Sequence, residues 1–317
     1  MCCISRPVQE VADTNILVAR LETDPNFQLT VYQNKVHNQS PKNAMIIAVP
    51  SPSTVRIHNL SSARDLFTRL HSFFTPIVVE EIYYFNMKSA DDEIRQPAKL
   101  KVERVGDYNV SLVPSMADLK RVDDSYFLLS DGVIQALSIY PSSWGFLVFG
   151  LSDESTHSRK YSPFAFSHEL PYPDQLYIPT LHYHEHTRVI TQDSKFDVMK
   201  KVIRPQGVLA DWNHDIYVYG VEDQYLWAST LPGLAAGSAY YAKKYKNVFV
   251  CNHSDCLVEL WPEAEAGVSL PKSPFFKKFR IEGDQPNGDI FLPVRPREPA
   301  KSSSSSGGGG FGGCLVC

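Results

Sequence analysis

Between Thr14 and Val55 the apolar positions of the chain alternate or run together as they do in β-structure. Thr14 to Leu21 is rich in Leu and Val, and Phe27, Leu29 and Val31 alternate with Gln28, Thr30 and Tyr32. Ala44 to Val49 is an unbroken apolar run stopped by Pro50, which predicts a strand buried on both faces. Together these segments read as a small antiparallel sheet. After Ser62 the period changes. Ala63, Leu66, Phe67, Leu70, Phe73 and Phe74 recur at helical spacing until Thr75-Pro76, so a helix is expected to cover one face of that sheet.

Leu100 to Val113 predicts a hairpin turning at Gly106-Asp107. Two short helices follow, one opened by Ser115 with Asp118, the other by Ser130 and stopped by Pro141. Trp144 to Phe149 reads as a strand. From Lys160 onward the strand candidates are Tyr161 to Phe166, Leu176 to His186, Ile216 to Val221, Tyr225 to Ala228, Val248 to Cys251 and Leu257 to Trp261, with helical stretches around Phe196 to Lys201 and Gly237 to Tyr245. Runs of strands with few helices between them argue for α+β: antiparallel sheets with a few short covering helices. The organisation that follows is an α+β domain over 1–155, a β-rich second half over 156–285 that can belong to the same domain, a Pro-rich linker over 286–301 and a Ser/Gly tail over 302–317.

With 317 residues, 43% of them hydrophobic, the chain can bury a large core. A net charge of -4 supplies no general basic field, which argues against nucleic acid as a partner. The start, Met1 to Pro7, has no apolar segment of signal-peptide type, and no run approaches the ~20 apolar residues of a membrane span. A cytosolic chain is the expectation, and its six cysteines are then read as thiols.

The order Ala48-Val49-Pro50, Val105-Gly106-Asp107-Tyr108, a short helical pair and then Trp144 to Leu151 resembles an uncharacterised bacterial domain family with relatives in large viruses and protists. The resemblance spans about the first half of the chain and implies an intact domain, with no catalytic residues attached to it. Cys314-Leu315-Val316-Cys317 resembles a C-a-a-X prenylation box, with Cys317 an uncommon last residue that leaves the isoprenoid open. The Ser/Gly run before it suits access by a prenyl transferase. This resemblance implies a lipidated Cys314 and a body on the cytosolic face of a membrane, or in the cytoplasm when unprenylated, where it binds a protein or small-molecule ligand.

One lipid gives marginal attachment, so a second signal is expected. Lys277, Lys278 and Arg280, interleaved with Phe275, Phe276 and Phe279, are candidates for contact with an anionic membrane surface; the same run also reads as an amphipathic strand. Cys2 and Cys3 are candidates for acylation. A processed Cys2 also carries the amine and thiol of an N-terminal nucleophile, although nothing after it follows that pattern.

The sharpest chemical motif is Leu181-His182-Tyr183-His184-Glu185-His186. Period-two alternation puts His182, His184 and His186 on one face, and His214, with His168 and His253 as further candidates, would complete a zinc or iron shell. The corresponding function is a metal-dependent hydrolase, the alternative to a membrane-anchored binding protein. Cys251 and Cys256 flank His253 in one isolated cluster, which reads as a loop between strands. The chain carries no Gly-rich phosphate loop following a strand and no Gly-x-Ser-x-Gly elbow.

Overall fold

The computed structural model describes residues 3–72, 99–151, 157–184, 216–221, 248–251, 267–269, 276–281 and 288–293. Its strands are β1 (Cys3–Ile4), β2 (Val8–Arg20), β3 (Phe27–Asn38), β4 (Ala44–Val49), β5 (Arg56–His58), β6 (Glu103–Val105), β7 (Tyr108–Val113), β8 (Gly145–Gly150), β9 (Arg159–Lys160), β10 (Phe164–Glu169), β11 (Gln175–Ile178), β12 (Ile216–Val221), β13 (Val248–Cys251), β14 (Phe276–Ile281) and β15 (Ile290–Pro293). The described helices are α1 (Leu66–Ser72) and α2 (Asp131–Leu137), with 3₁₀ turns at Pro52–Thr54 and Met116–Arg121.

Two sheets result. One has five strands in the order β1-β4-β8-β7-β6, the other eight, with β13-β14-β12-β2-β3-β10-β5 in line and β9 beside the far end of β3; β11 and β15 pair separately. Alternation along each strand explains why the large sheets lie face to face. Met45, Ile47 and Val49 of β4 and Leu147 and Phe149 of β8 meet Ile16, Val18, Tyr32, Phe164, Phe166 and Val218 in one buried cluster. The opposite positions of β4 and β8, Ala44, Ile46, Ala48, Phe146 and Val148, pack with Val133, Ala136 and Leu137 of α2. On the far side of the eight-stranded sheet, Leu66, Phe67 and Leu70 of α1 cover Leu17, Ala19, Leu29 and Val31. The layers are therefore helix, sheet, sheet, helix.

Sheet-rich architecture is as expected, with three differences in arrangement. β4 does not pair with β2 and β3: it enters the other sheet, antiparallel to β8 from Ala44↔Gly150 to Val49↔Gly145, because both its faces are apolar and only a position between two layers covers both. The eight-stranded sheet is mixed, since β12 runs parallel to β2 from Ile216↔Thr14 to Gly220↔Val18. Halves 1–155 and 156–285 thus share one sheet. The segment read as a linker contains β15, antiparallel to β11 from Ile178↔Ile290 to Gln175↔Pro293; Ile290 and Leu292 give it an apolar face that joins the central core.

The turn between β6 and β7 is the anticipated Gly106-Asp107. Gly106 has φ +56, the arrangement in which glycine takes the first of two turn positions. Asp107 then ties the two sheets together. Arg64, just before α1, donates to both its oxygens at 2.9 and 2.8 Å, and the Ser162 backbone N–H donates at 2.7 Å. Burial works to raise the Asp107 pKa, but the Arg64 and Ser162 hydrogen bonds and the charges of Arg64 and Arg159 outweigh it and hold the carboxyl below its usual range. Ser130 caps α2 as predicted, accepting from the Val133 N–H at 3.2 Å. The helix expected at Ser115 is a 3₁₀ turn, in which Ser115 Oγ donates to Asp118 at 2.7 Å and leaves the backbone uncapped by its side chain. Cys3, a candidate for acylation, is 2% exposed within β1 and is not available for it; Cys2 lies outside the described residues. So do Tyr225 to Ala228, Leu257 to Trp261 and both expected helices, Phe196 to Lys201 and Gly237 to Tyr245.

Phe164 is the centre of the inter-sheet core. Its ring lies 4.0 Å from Phe149, 5.4 Å from Tyr32 and 5.4 Å from Tyr108, centroid to centroid. Phe164→Ala is expected to lower unfolding free energy by about 3–5 kcal/mol, read from urea denaturation; a loss below about 1 kcal/mol would show that this cluster does not hold the sheets together.

Candidate functional site

The histidine motif begins just after β11, and its geometry is set by three supports. The first is Gln28 of β3, whose amide Nε2 donates to the Tyr177 carbonyl at 2.6 Å while its Oε1 accepts from the Tyr177 N–H at 2.8 Å. A side-chain amide so placed imitates a neighbouring strand and fixes β11 against the large sheet. The second is Asp289. One carboxylate oxygen accepts from the Thr180 N–H at 2.9 Å and the Leu181 N–H at 2.8 Å; the other accepts from Tyr140 Oη at 2.7 Å and lies 3.1 Å from Tyr177 Oη. Thr180 Oγ1 adds a bond to the Gly288 carbonyl at 2.7 Å. The third is β1: the Ile4 N–H donates to the Tyr183 carbonyl at 2.6 Å, and Cys3 forms a parallel bridge with Tyr183.

Held in this way, residues 181–184 keep strand-like alternation without being a regular strand. Leu181 and Tyr183, 3% and 4% exposed, turn into the cluster beneath α2. His182 and His184 occupy the other side, half-buried, with ring centroids 4.4 Å apart and planes at 80°. The sequence-based pairing of these two imidazoles is what the structure shows, closer together than same-face neighbours on a flat strand. Two adjacent imidazoles can supply two nitrogen ligands, whereas a closed zinc site takes four protein ligands and a catalytic one three. Among the described residues no group of three His, Cys, Asp or Glu is placed to hold a metal ion. His186, His214 and His253 lie outside the described residues, as does Cys314.

His168 stands apart from this pair. It is fully buried on β10, its ring stacked 5.8 Å from Phe166 and set edge-on 6.0 Å from Tyr177. Nδ1 lies 2.9 Å from the Glu169 carbonyl and donates to it in the neutral ring, leaving Nε2 as the bare nitrogen. Burial lowers the His168 pKa to about 4, with the Glu169 carbonyl opposing it in part. A histidine of this kind is a neutral core residue.

Lys277, Lys278 and Arg280 fall in β14, so the strand is the reading that the backbone adopts: Lys277 is opposite Gly220, Lys278 opposite Tyr219 and Arg280 opposite Tyr217, with β13 on the other side. Successive strand positions belong to opposite faces, which places 277 on one face and 278 and 280 on the other. Sequence reasoning missed Asp289 because it lay within the Pro-rich segment. The available signal was Asn287-Gly288-Asp289 followed by Ile290-Phe291-Leu292, a turn leading into an apolar strand.

No family model matches the sequence. Two solved structures are similar at a low level. The crystal structure of baculovirus P35 shares 15% identity, covering 92% of this chain and 99% of that one with a TM-score of 0.40. A mutated baculovirus P35 after caspase cleavage shares 13% identity, covering 90% and 100%, also with a TM-score of 0.40. Likeness at this level assigns neither fold nor activity to the chain.

The His168 geometry sets a pH dependence. Below its ordinary value of 6.5 the unfolded chain takes up a proton that the folded ring refuses until about pH 4. Stability is therefore lost as pH falls through this window, by at most about 1.4 kcal/mol per pH unit. His168→Gln is expected to remove that slope, measured as the difference between the urea midpoints of variant and wild type across the window. Parallel slopes for the two proteins would show that His168 does not contribute.

Proposed function

We propose that the protein is a peripheral membrane protein: a sheet-built body with a ligand-binding surface, tethered by a prenyl group on Cys314. The observation that carries this reading is the residue pattern Cys314-Leu315-Val316-Cys317 behind a Ser/Gly run. The partners in this reading are a prenyl transferase, a membrane surface and a protein or small-molecule ligand.

Burying the lipid at roughly 0.8 kcal/mol per CH₂ gives reversible attachment that needs reinforcement. Lys278 and Arg280, which share a face of β14, are the bases proposed to add it, with Lys277 contributing from the other face only through longer-range attraction. A second reading, a metal-dependent hydrolase, is favoured by the 4.4 Å approach of His182 and His184. In it His186 and His214 supply the remaining ligands to zinc or iron.

Cys314→Ser is expected to move the protein from the membrane fraction to the soluble one, and intact mass of the native protein is expected to show an isoprenoid with the last three residues removed. An unmodified Cys317 terminus, or a variant that pellets as wild type does, would overturn the anchor. Metal analysis of the purified chain separates the two readings: about one zinc or iron per chain that His182→Ala abolishes supports the hydrolase, and a metal-free chain removes it.

A further inference from the structure

The Tyr177 hydroxyl lies between two acceptors. Its oxygen is 3.0 Å from the Ala48 carbonyl and 3.1 Å from the Asp289 carboxyl. A phenol carries one proton, so it can donate fully to only one of them. The position of Ala48 in its sheet indicates which. Ser5 N–H donates to the Ala44 carbonyl at 2.8 Å, so the carbonyls of 44, 46 and 48 point away from β8 and toward the β1 side. Among the described residues, the donor that reaches the Ala48 carbonyl is the Tyr177 hydroxyl. If Tyr177 gives its proton there, two oxygens face each other at 3.1 Å with nothing between them, unless the carboxyl supplies the proton.

We propose that Asp289 is held un-ionised at neutral pH and donates its own proton to Tyr177, closing a chain from Tyr140 through Asp289 and Tyr177 to the Ala48 carbonyl. Every polar atom of the clasp is then satisfied: Tyr140 donates to Asp289, Asp289 to Tyr177 and Tyr177 to Ala48, while the Thr180 and Leu181 N–H groups keep the other carboxyl oxygen. Among the described residues no Lys, Arg or His forms an ion pair with Asp289. Among the described residues the titratable groups facing it are Tyr140 from the loop after α2, Tyr177 from β11 and, through those phenols, the Cys3 thiol of β1. Burial moves the Asp289 pKa upward, against the lowering by its four hydrogen bonds. The consequence is a proton-linked clasp: β15 is fastened to β11 and to the His182 segment most tightly while Asp289 is neutral.

The sign follows. A carboxyl whose folded pKa is raised keeps a proton that the unfolded chain has lost above about pH 4, so its contribution is complete below that point and is lost as pH rises through the folded value. The test uses the full chain with Asp289→Asn and Asp289→Ala. Asparagine can present the same carbonyl to the two N–H groups and an N–H to Tyr177. Asp289→Asn is expected to match the wild-type melting temperature at about pH 4 and to lack the wild-type decline as pH rises above that point, whereas Asp289→Ala melts several degrees lower. Infrared difference spectra between wild type and Asp289→Asn are expected to show the carbonyl band of one protonated acid at neutral pH. Absence of that band, or an Asn variant as destabilised as the Ala variant, would overturn the proposal.

Discussion

The structure depends on the burial of two sheet faces against each other. Neither sheet can stand alone: Phe149 and Leu147 on one, and Phe164, Tyr32 and Ile16 on the other, are each no more than 1% exposed only because the opposite layer is present. At about 25 cal/mol per Å² of apolar surface removed from water, a handful of such aromatics outweighs any single polar contact in the molecule. The helices follow from the same constraint applied to the outer faces. α1 and α2 have seven residues each, too short to be stable in isolation, and they form where an apolar stripe can lie on Leu29 and Val31 or on Phe146 and Val148.

Apolar burial is indifferent to small shifts of one layer over the other, and the buried polar groups remove that freedom. Gln28 accepts one register of β11, since a slip by one residue would leave its amide facing the wrong backbone groups. Asp107 specifies how the β6–β7 turn meets the Arg64 segment, and Asp289 how the chain returns beside β11. All three bind backbone or turn residues distant in sequence. They belong to the specification of the fold more than to its gross stability.

This division also explains what could be read from the residues. Ala44–Val49, Ile216–Val221 and Val248–Cys251 were legible with their limits, as was the Gly106 turn, because each is a local pattern. β4's membership of the second sheet was not, since a run apolar on both faces says that it is covered twice and not by what. β10 begins at Phe164 and β9 ends at Lys160, where the sequence suggested one strand from Tyr161; Ser162 breaks the ladder to serve Asp107 through its N–H. At the candidate site the proximity of His182 and His184 followed from alternation. The role of Asp289 did not, because a buried carboxyl is recognisable only by the backbone and phenols that converge on it from segments more than a hundred residues away.

The parallel pairing of β2 with β12 has a consequence for synthesis. Ile16 lies beside Val218, so one long edge of β2 has no partner until the ribosome has made about two hundred further residues, on the order of 10–40 s at cellular elongation rates. During that interval the β2–β3 hairpin presents a strand of 13 residues, apolar from Ile16 to Ala19, with an open edge. Sequestration of the nascent chain therefore bears on the yield of this protein as directly as the energetics of its finished core, and truncations that stop short of β12 leave the same edge open permanently.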